Sequence, residues 1–344
     1  MIQKVSFIDQ KTTDLNRIAE LLQLCASKNM FANMGPLYQM LTENYSNHFG
    51  LASDCSITPC ANAGIALEGM ARLLSLQSGK KLKWAGSAFS FQNLGRGYFS
   101  DMKFVDCTPE GLLDLDAIRA LPKNSFDGIV VVNPFGLCEN FDKYIKFAQA
   151  TDKFLLIDNA AGISKKLPSW PWQALSLHHT KPYGIGEGGL ALTPSDSAQE
   201  FYSLLNYGAP PSDPTCWMNN GKISDISCAF LIERLEKVSD WQYLYLEQAE
   251  RVYQITRGIG LTPLCPFPSP IPAMSWPYMC PSVVDSESIH LSDKLAFGKY
   301  YKPIVKFSQA NFLYEHMLNI PTHPSLASLP DKDLEQEILK VLSL

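Results

Sequence analysis

The feature of this sequence that most constrains its fold is a series of short, continuous apolar segments that alternate with amphipathic helical segments. Residues 127–133 and 154–157 are two such apolar segments, and a helical segment at 141–151 lies between them. Strands that are apolar at every position must be covered on both faces, which is the arrangement of parallel strands in α/β proteins. The sequence therefore predicts an α/β fold with a mainly parallel sheet between layers of helices.

The same alternation extends over the first 205 residues. Apolar residues recur at helical spacing in 12–28 behind a capping Asp14, and a second helix is predicted at 36–48. The remaining strands are predicted at 55–59, 83–86, 103–106, 174–177 and 190–192, and the remaining helices at 61–77, 113–121 and 197–205.

The pattern changes in the last third of the chain. A long helical stretch at 223–257 is followed by residues 261–281, whose seven prolines predict irregular structure at a domain junction. The later elements are predicted as short strands near 281–284 and helices at 291–297, 309–318 and 331–342. We therefore expect a large α/β domain at 1–240 and a smaller C-terminal α+β domain at 241–344.

The charge and hydropathy of the chain exclude two classes of partner. There are 29 basic and 34 acidic residues, a net charge of -5, and no basic run able to neutralise a phosphate backbone. Nucleic acid is therefore not an expected partner. The first residues lack the pattern of a secretory signal, and no apolar stretch approaches the ~20 residues that span a bilayer, so no membrane association is expected.

The cysteines give a prediction about the cellular compartment. The nine cysteines are spread from Cys25 to Cys280 without a C-x-x-C pair. Their odd number and spacing argue against a disulfide framework and against a zinc site. We interpret them as reduced core thiols of a cytoplasmic protein that holds no metal.

The chemistry of the chain is concentrated in residues 176–189, S-L-H-H-T-K-P-Y-G-I-G-E-G-G. Lys181 follows one apolar strand and precedes another, so it lies in a loop between two core elements. A partly desolvated lysine loses its proton more easily, and a neutral amine can form a Schiff base with an aldehyde. An ordinary solvated turn has the same composition. The glycines also match G-x-G-x-x-G, but the loop opens a strand and not a helix, which argues against a dinucleotide site.

Two further segments predict ligand contacts. The turn P-C-A-N-A-G at 59–64 brings small residues to a helix N-terminus, where exposed amides and the helix dipole suit a phosphate; a plain cap by Asn62 is the alternative. Asp158 ends a buried strand of the parallel sheet. Ligands of such sheets bind beyond the carboxyl ends of the strands, although a carboxylate there is also a common helix cap.

In their order and spacing these segments resemble the DegT/DnrJ/StrS family of pyridoxal-phosphate (PLP) sugar aminotransferases. The resemblance covers nearly the whole chain. It implies the fold-type I architecture of PLP-dependent transferases. The matching segments are G-P at 35–36, P-C-A-N-A-G-I-A-L, N-P-F-G, L-L-I-D-N-A-A, S-L-H-H-T-K-P-Y-G-I-G-E-G-G, N-G-K-I-S-D-I-S-C-A-F, Y-Y-K-P and N-I-P-T-H-P-S-L.

The resemblance implies a role in cofactor binding for several residues. Lys181 corresponds to the lysine that bonds to the cofactor and later moves a proton between the substrate carbon and the cofactor. Asp158 corresponds to the partner of the protonated pyridine nitrogen. Ser176 and the amides of Ala63 and Gly64 correspond to the phosphate site.

Two other roles implied by the resemblance have equally simple structural alternatives. Phe89 corresponds to the aromatic residue that stacks on the cofactor ring, and a core phenylalanine would look the same in sequence. Asn220 corresponds to an asparagine that reaches the phosphate of the neighbouring subunit, and a turn residue in N-N-G is the alternative. If Asn220 has the role implied by the resemblance, the protein is a homodimer with a shared active site.

The chain also departs from the family pattern. Ala161 stands where histidine or glutamine is usual, which removes one polar contact to the cofactor ring, and Gly64 replaces a threonine hydroxyl but keeps the amide. His178 and His179 are candidate wall residues of the site, with packing or surface roles as the alternative.

The function implied is amino transfer from glutamate, through pyridoxamine phosphate (PMP), to a nucleotide-linked keto sugar for a surface polysaccharide or a glycosylated metabolite. Two alternatives stay open. One is a noncatalytic binding or regulatory protein of the same fold, which Ala161 motivates. The other is an aminotransferase with a cyclitol or small keto acid as acceptor.

Overall fold

The structure, a computed structural model, describes residues 4–207 and 218–342. The strands of its main sheet are β1 Cys55–Cys60, β2 Trp84–Ser87, β3 Lys103–Val105, β4 Gly128–Val132, β5 Phe154–Asp158, β6 Gln173–Ser176 and β7 Gly189–Pro194. They lie in the order β1-β7-β6-β5-β4-β2-β3. From β6 to β3 all neighbours are parallel, whereas β7 runs antiparallel to both β1 and β6.

Helices cover both faces of this sheet. Those of the first 258 residues are α1 Leu15–Lys28, α2 Pro36–Phe49, α3 Ala63–Gln77, α4 Leu115–Arg119, α5 Asp142–Thr151, α6 Ala198–Leu205, α7 Asp225–Glu236 and α8 Val238–Gly258. The stretch predicted as helical at 223–257 is thus two helices, which meet at Lys237. As predicted, Asp14 caps α1, and its carboxylate accepts hydrogen bonds from the backbone amides of Asn16 and Arg17.

Strand β4 shows how the apolar pattern produces the layers. Val130 packs with α3 and α6, whereas Ile129 and Val131 pack on the opposite face with α4 and α5. All five residues of β4 are buried. Burial of each such side chain stabilises the fold by about 1.5–3 kcal/mol, so a continuous apolar strand is most stable between two helical layers. The predicted α/β architecture is confirmed.

A second, three-stranded antiparallel sheet lies in the C-terminal part, in the order β10-β9-β8. The strands are β8 Thr262–Pro263, β9 Ser275–Met279 and β10 Met317–Pro321, and the helices of this part are α9 Ser308–His316 and α10 Asp331–Leu342. The proline-rich segment predicted to be irregular therefore contains two strands. Pro277 is tolerated in the middle strand because its neighbour β8 is only two residues long. The strand predicted near 281–284 lies at Ser275–Met279 instead.

The prediction of a helix at 291–297 is wrong. The segment is extended and pairs with the N-terminal segment: the Val5 amide donates to the Lys294 carbonyl at 2.8 Å, and the Ala296 amide donates to the Val5 carbonyl at 2.9 Å. Leu295 and Phe297 are both buried, which is the two-residue period of an extended chain. The sequence could not show this, because the pairing partner lies about 290 residues away. The division into 1–240 and 241–344 stays a prediction; residue 240 falls inside α8.

No helix within residues 4–207 and 218–342 is long and apolar enough to cross a membrane. In the same ranges, no group of three or more histidine, cysteine, aspartate or glutamate side chains is placed to hold a metal ion.

A buried carboxylate anchors α10, and it makes stability depend on pH. Burial alone would raise the pKa of Glu337, but hydrogen bonds from Lys340, Ser292 and the amides of Lys294 and Asp293 outweigh it and lower the pKa from 4.5 to about 2. The ionised form is therefore stabilised by folding. This contribution is fully present above pH 4.5 and is lost as the pH falls towards 2.

We expect Glu337→Gln to lower the free energy of unfolding by about 2 kcal/mol at pH 7, because hydrogen bonds to a charged acceptor are lost. The difference from the wild-type protein should shrink as the pH falls below 4.5, because the unfolded wild-type chain then takes up a proton at Glu337 while the folded carboxylate stays ionised to about pH 2. Urea titrations between pH 3 and 7 measure both. Glu335→Gln, on the exposed side of α10, is the matched control and should change little. A difference that stays constant to pH 3 would contradict this assignment.

Candidate active site

A cavity of about 530 Å³ opens at the carboxyl ends of three adjacent parallel strands. Val132 ends β4, Asp158 ends β5 and Ser176 ends β6, and all three line the cavity. This is where ligands bind in parallel α/β sheets, and the volume is within the range of small-molecule and cofactor sites.

Lys181 reaches the cavity from a tightly turned loop between β6 and β7. The Lys181 amide donates to the His178 carbonyl at 2.8 Å, and the Gly184 amide donates to the Lys181 carbonyl at 2.9 Å. Glycine is required at position 184, because a Cβ there would lie 2.1 Å from the His178 oxygen. The glycine of the motif therefore lets the loop close tightly, which holds the backbone of Lys181 in place.

Burial lowers the pKa of the Lys181 amine, and the attraction of the Asp158 carboxylate partly opposes this. The direction matters for chemistry, because only a neutral amine is nucleophilic or able to take a proton. The environment thus favours the form of Lys181 that a covalent or base role requires.

Asp158 is a buried carboxylate with few compensating partners. Its side chain is 5% exposed. Oδ1 accepts a hydrogen bond from the Ala160 amide at 3.2 Å, and the Asn93 amide nitrogen lies 3.5 Å from Oδ2. Burial raises its pKa, which these contacts and Lys181 only partly oppose. A cationic group in the cavity beside Asp158 would therefore be strongly favoured.

The start of α3 forms an anion site in the cavity wall. Asn62 caps the helix, its Oδ1 accepting from the Ile65 amide at 2.9 Å. The amides of Ala63 and Gly64 belong to the first turn, whose N–H groups have no intrahelical acceptor. Both residues line the cavity together with Ser176. Hydroxyl, amides and helix dipole are together suited to a phosphate.

Close packing brings β7 against this anion site. A Cβ at Gly189 would lie 2.4 Å from the Asn62 carbonyl carbon and 2.6 Å from the Ala63 nitrogen. Only glycine therefore allows the first residue of β7 to pack directly under the start of α3. The G-E-G-G turn and the P-C-A-N-A-G turn, 125 residues apart along the chain, are neighbours in the fold for this reason.

Two other predicted residues, Phe89 and Asn220, are not among the residues that line this cavity. Phe89 is fully buried in the core, where its ring packs against Phe135 and Tyr301. The phenylalanine of this segment that lines the cavity is Phe91, which is 60% exposed. Asn220 is exposed at the surface, where it forms a β-bridge with Asn206.

Of the two candidate wall histidines, His178 lines the cavity, as does Ala161. His179 contributes its backbone to the loop, its amide donating to the Gly186 carbonyl at 2.8 Å.

Several residues that line the cavity were not identified from the sequence. Tyr300 and Tyr301 lie in the Y-Y-K-P segment, whose position in the chain was a usable signal. Phe7, Ile8 and Met274 approach from distant parts of the chain and carried no such signal. Their presence depends on contacts between distant parts of the chain, such as the pairing of Val5 with residues 294–296.

A model of the DegT/DnrJ/EryC1/StrS aminotransferase family matches residues 15–333. The chain belongs to this family. The family resemblance predicted from the motifs is confirmed, and the protein is a PLP-dependent aminotransferase of the sugar aminotransferase family.

Solved structures of similar fold include PseC of Helicobacter pylori, an aminotransferase involved in pseudoaminic acid biosynthesis, with a TM-score of 0.82, 17% identity and 100% of both chains covered. NtdA of Bacillus subtilis, solved with the bound cofactor PMP, has a TM-score of 0.81 and 15% identity and covers 100% of this chain and 86% of its own. DesI, solved in the presence of its TDP-sugar product, has a TM-score of 0.76 and 17% identity, with 96% and 90% covered. These likenesses show the shared fold.

The cavity of this DegT/DnrJ/EryC1/StrS aminotransferase has a donor set that fits PLP. The anion site at the start of α3 suits the phosphate, and the amine of Lys181 suits the aldehyde. The under-compensated carboxylate of Asp158 suits a protonated ring nitrogen. The three features lie in one cavity, as a single ligand requires.

Proposed function

We propose that this aminotransferase moves an amino group from glutamate to a nucleotide-linked keto sugar. The observation that carries the proposal is the meeting of Lys181, Asp158 and the anion site of α3 in one cavity. A sugar acceptor is supported by DesI, which has the same fold and was solved with its TDP-sugar product. The product would serve the synthesis of a surface polysaccharide or a glycosylated metabolite.

In this proposal Ser176 and the amides of Ala63 and Gly64 hold the cofactor phosphate. Lys181 would bond to the cofactor, and Asp158 would pair with its protonated ring nitrogen. We propose Phe91 as the aromatic contact to the ring in the role predicted for Phe89, since Phe91 is the one of the two that lines the cavity.

The chemistry follows from these placements. When bound, PLP supplies a conjugated ring that accepts the electrons released at the substrate carbon. A cationic ring nitrogen would favour the ionised form of the Asp158 carboxylate, which in turn would keep the proton on that nitrogen. Burial favours the neutral form of Lys181, so its Nζ can take the proton from the substrate carbon. The same Nζ can then pass that proton to the cofactor. Phe91 and Tyr301 line the cavity with aromatic surface that excludes water.

We further propose a homodimer in which Asn220 of each subunit reaches the phosphate of the other. Asn220 is exposed on its own subunit, which leaves it available to a neighbour. It lies next to Gly221, whose carbonyl accepts from the Ala61 amide at 2.8 Å. This bond fixes the backbone of the segment, while the Asn220 side chain stays exposed.

Mixed dimers test the shared site. Lys181→Ala and Asn220→Ala are each expected to be weakly active alone. When the two variants are unfolded and refolded together, half of the dimers are mixed and each contains one intact site, so activity should return to about a quarter of the wild-type value. Light scattering checks the dimer, and each variant refolded alone is the control. No return of activity in verified mixed dimers would show that Asn220 serves its own subunit.

We also propose that the enzyme works in the cytoplasm. The cysteines of the described residues are free, and most of them are buried. Burial raises the pKa of thiols such as Cys60 and Cys265, each to about 12, which keeps them protonated and unreactive. This is typical of proteins of a reducing compartment.

The acceptor is tested by incubating the enzyme with glutamate and a panel of keto compounds, with mass spectrometry of the aminated product. We expect amination of a nucleotide-linked keto sugar at a kcat/KM at least about tenfold above that of cyclitol ketones and small keto acids. Lys181→Ala is the control for uncatalysed amination. Preference for a cyclitol or a keto acid would replace the acceptor in this proposal, and absence of 2-oxoglutarate would exclude glutamate as the donor.

A further inference from the structure

The N-terminal segment, residues 4–11, connects the C-terminal part of the fold to the loop that carries Lys181. At one end Val5 pairs with the extended chain at 294–296. In the middle the Asp9 carboxylate accepts hydrogen bonds from Tyr245 at 2.8 Å and from Ser325 at 2.6 Å. At the other end lies Lys11, so the segment spans both parts of the molecule.

The ammonium of Lys11 binds the backbone of the Lys181 loop. Its Nζ donates to the carbonyls of His179 at 2.6 Å, Lys181 at 2.5 Å and Gly184 at 2.5 Å. A lysine ammonium has three donors, and all three are used on one six-residue turn. One of the acceptors is the carbonyl of Lys181 itself.

Burial of a charged ammonium costs free energy of folding, so the position of Lys11 indicates a specific role for the charge. The described hydrogen-bond acceptors of Lys11 Nζ are backbone carbonyls and not carboxylates. Burial and, to a smaller extent, the Arg234 cation lower the pKa of Lys11 to about 7, against the opposing effect of the Asp9 carboxylate. An apolar side chain would fill the same space without desolvating a charge. The ammonium and the carbonyl dipoles of the loop stabilise each other.

A second cation binds the same turn. The Arg234 guanidinium donates to the Pro182 carbonyl through Nε at 3.0 Å and Nη2 at 2.8 Å. It also stacks on the Trp241 ring, 3.9 Å from the ring centroid. Four carbonyls between His179 and Gly184 therefore accept from cations that belong to other parts of the chain.

We propose that Lys11 is a positioning residue that fixes the Lys181 loop, and with it the side chain of Lys181, in the geometry needed to react with the cofactor. This inference rests on the proposed role of Lys181. Tyr183 packs the middle of the loop against Trp241, with ring centroids 5.0 Å apart. The four glycines between 184 and 189 provide no side-chain packing. The three bonds from Lys11 fix the backbone on both sides of Tyr183, at His179, Lys181 and Gly184. The same segment also places Phe7 and Ile8 in the cavity wall.

The test compares Lys11→Met with Lys4→Met. Lys4 is the matched control, because its Nζ also donates to a backbone carbonyl, that of Ser292 at 2.6 Å, but at the far end of the same segment. The apoenzyme is mixed with PLP, and borohydride reduction followed by peptide mapping gives the rate of bond formation at Lys181. Affinity for PMP, which needs no bond to Lys181, is measured in parallel.

We expect Lys11→Met to form the bond about 10- to 100-fold more slowly, with PMP affinity unchanged. Lys4→Met should match the wild-type protein, and Lys11→Arg, which keeps the charge and the donors, should recover part of the rate. Amide exchange of residues 178–189 should be faster in Lys11→Met than in Lys4→Met.

Four results separate the possible failures. Equal bond-formation rates in Lys11→Met and Lys4→Met would overturn the proposal, as would a parallel loss of PMP affinity, which indicates general damage. If Lys11→Met does not fold, Lys11→Gln, which keeps one donor group, gives the same comparison by amide exchange; unchanged exchange in 178–189 would also overturn it. Failure of the wild-type protein to bond PLP would instead refute the role of Lys181.

Discussion

Replacement of Lys181 by alanine is expected to lower the rate of amino transfer by about a thousandfold or more. Lys181 lines the cavity together with Asp158, and burial favours the neutral form of its amine. Alanine can neither bond to PLP nor move the proton at the substrate carbon. The rate of conversion of glutamate to 2-oxoglutarate in a single turnover measures the effect directly.

Lys153→Ala is the matched control for this loss. Lys153 is also half-buried and donates to the carbonyls of Lys123 and Phe126, but it precedes β5, at the opposite end of the strand from Asp158. It should keep wild-type activity. A Lys181→Ala protein with near wild-type turnover, or a Lys153→Ala protein as inactive as Lys181→Ala, would place the reacting amine elsewhere.

Asp158→Asn is expected to lower the turnover rate by about a hundred- to a thousandfold, because a preorganised charge opposite the ring nitrogen is lost. Asparagine keeps the shape and one acceptor oxygen but not the charge. Without it the ring nitrogen is less readily protonated, and the ring is a weaker electron sink. Bond formation between PLP and Lys181 should survive, so cofactor content and turnover should separate in this variant.

Asp127→Asn provides the control for the aspartate substitution. Asp127 precedes β4, at the end of the sheet away from the cavity, and pairs with Lys80 at 2.8 Å. Its replacement changes a half-buried carboxylate of the same sheet and should leave turnover unchanged. Equal losses in the two variants would mean that the effect is one of stability, and full activity of Asp158→Asn would refute its pairing with the ring nitrogen.

The sequence predicted the main sheet because its signal is local. A strand such as β4 is apolar at every position, and that pattern has one stable solution, burial between two layers of helices. The placement of Asp158 followed from a related rule, since ligands bind beyond the carboxyl ends of parallel strands. Ser176 was predicted from the family resemblance, and the structure places it at the end of the neighbouring strand. The turn at Lys181 was marked by glycines whose necessity the structure explains at Gly184 and Gly189.

The sequence did not predict features that depend on distant parts of the chain. The segment at 291–297 has apolar residues that fit a helix, but pairing with Val5 makes it extended. Lys11 carries no signal in the sequence, because only the fold brings it to the carbonyls around Lys181. Phe89 and Phe91 are two residues apart in the same loop, so the sequence could not tell which ring is buried in the core and which faces the cavity.

The most direct test of the central claim is the absorption spectrum of the purified enzyme with PLP, before and after glutamate, for the wild-type protein and Lys181→Ala. We predict a visible band that requires Lys181 and is lost when glutamate is added, with 2-oxoglutarate formed in equal amount. No band in the wild-type protein, or the same band in Lys181→Ala, would contradict the assignment of Lys181 as the amine that holds the cofactor.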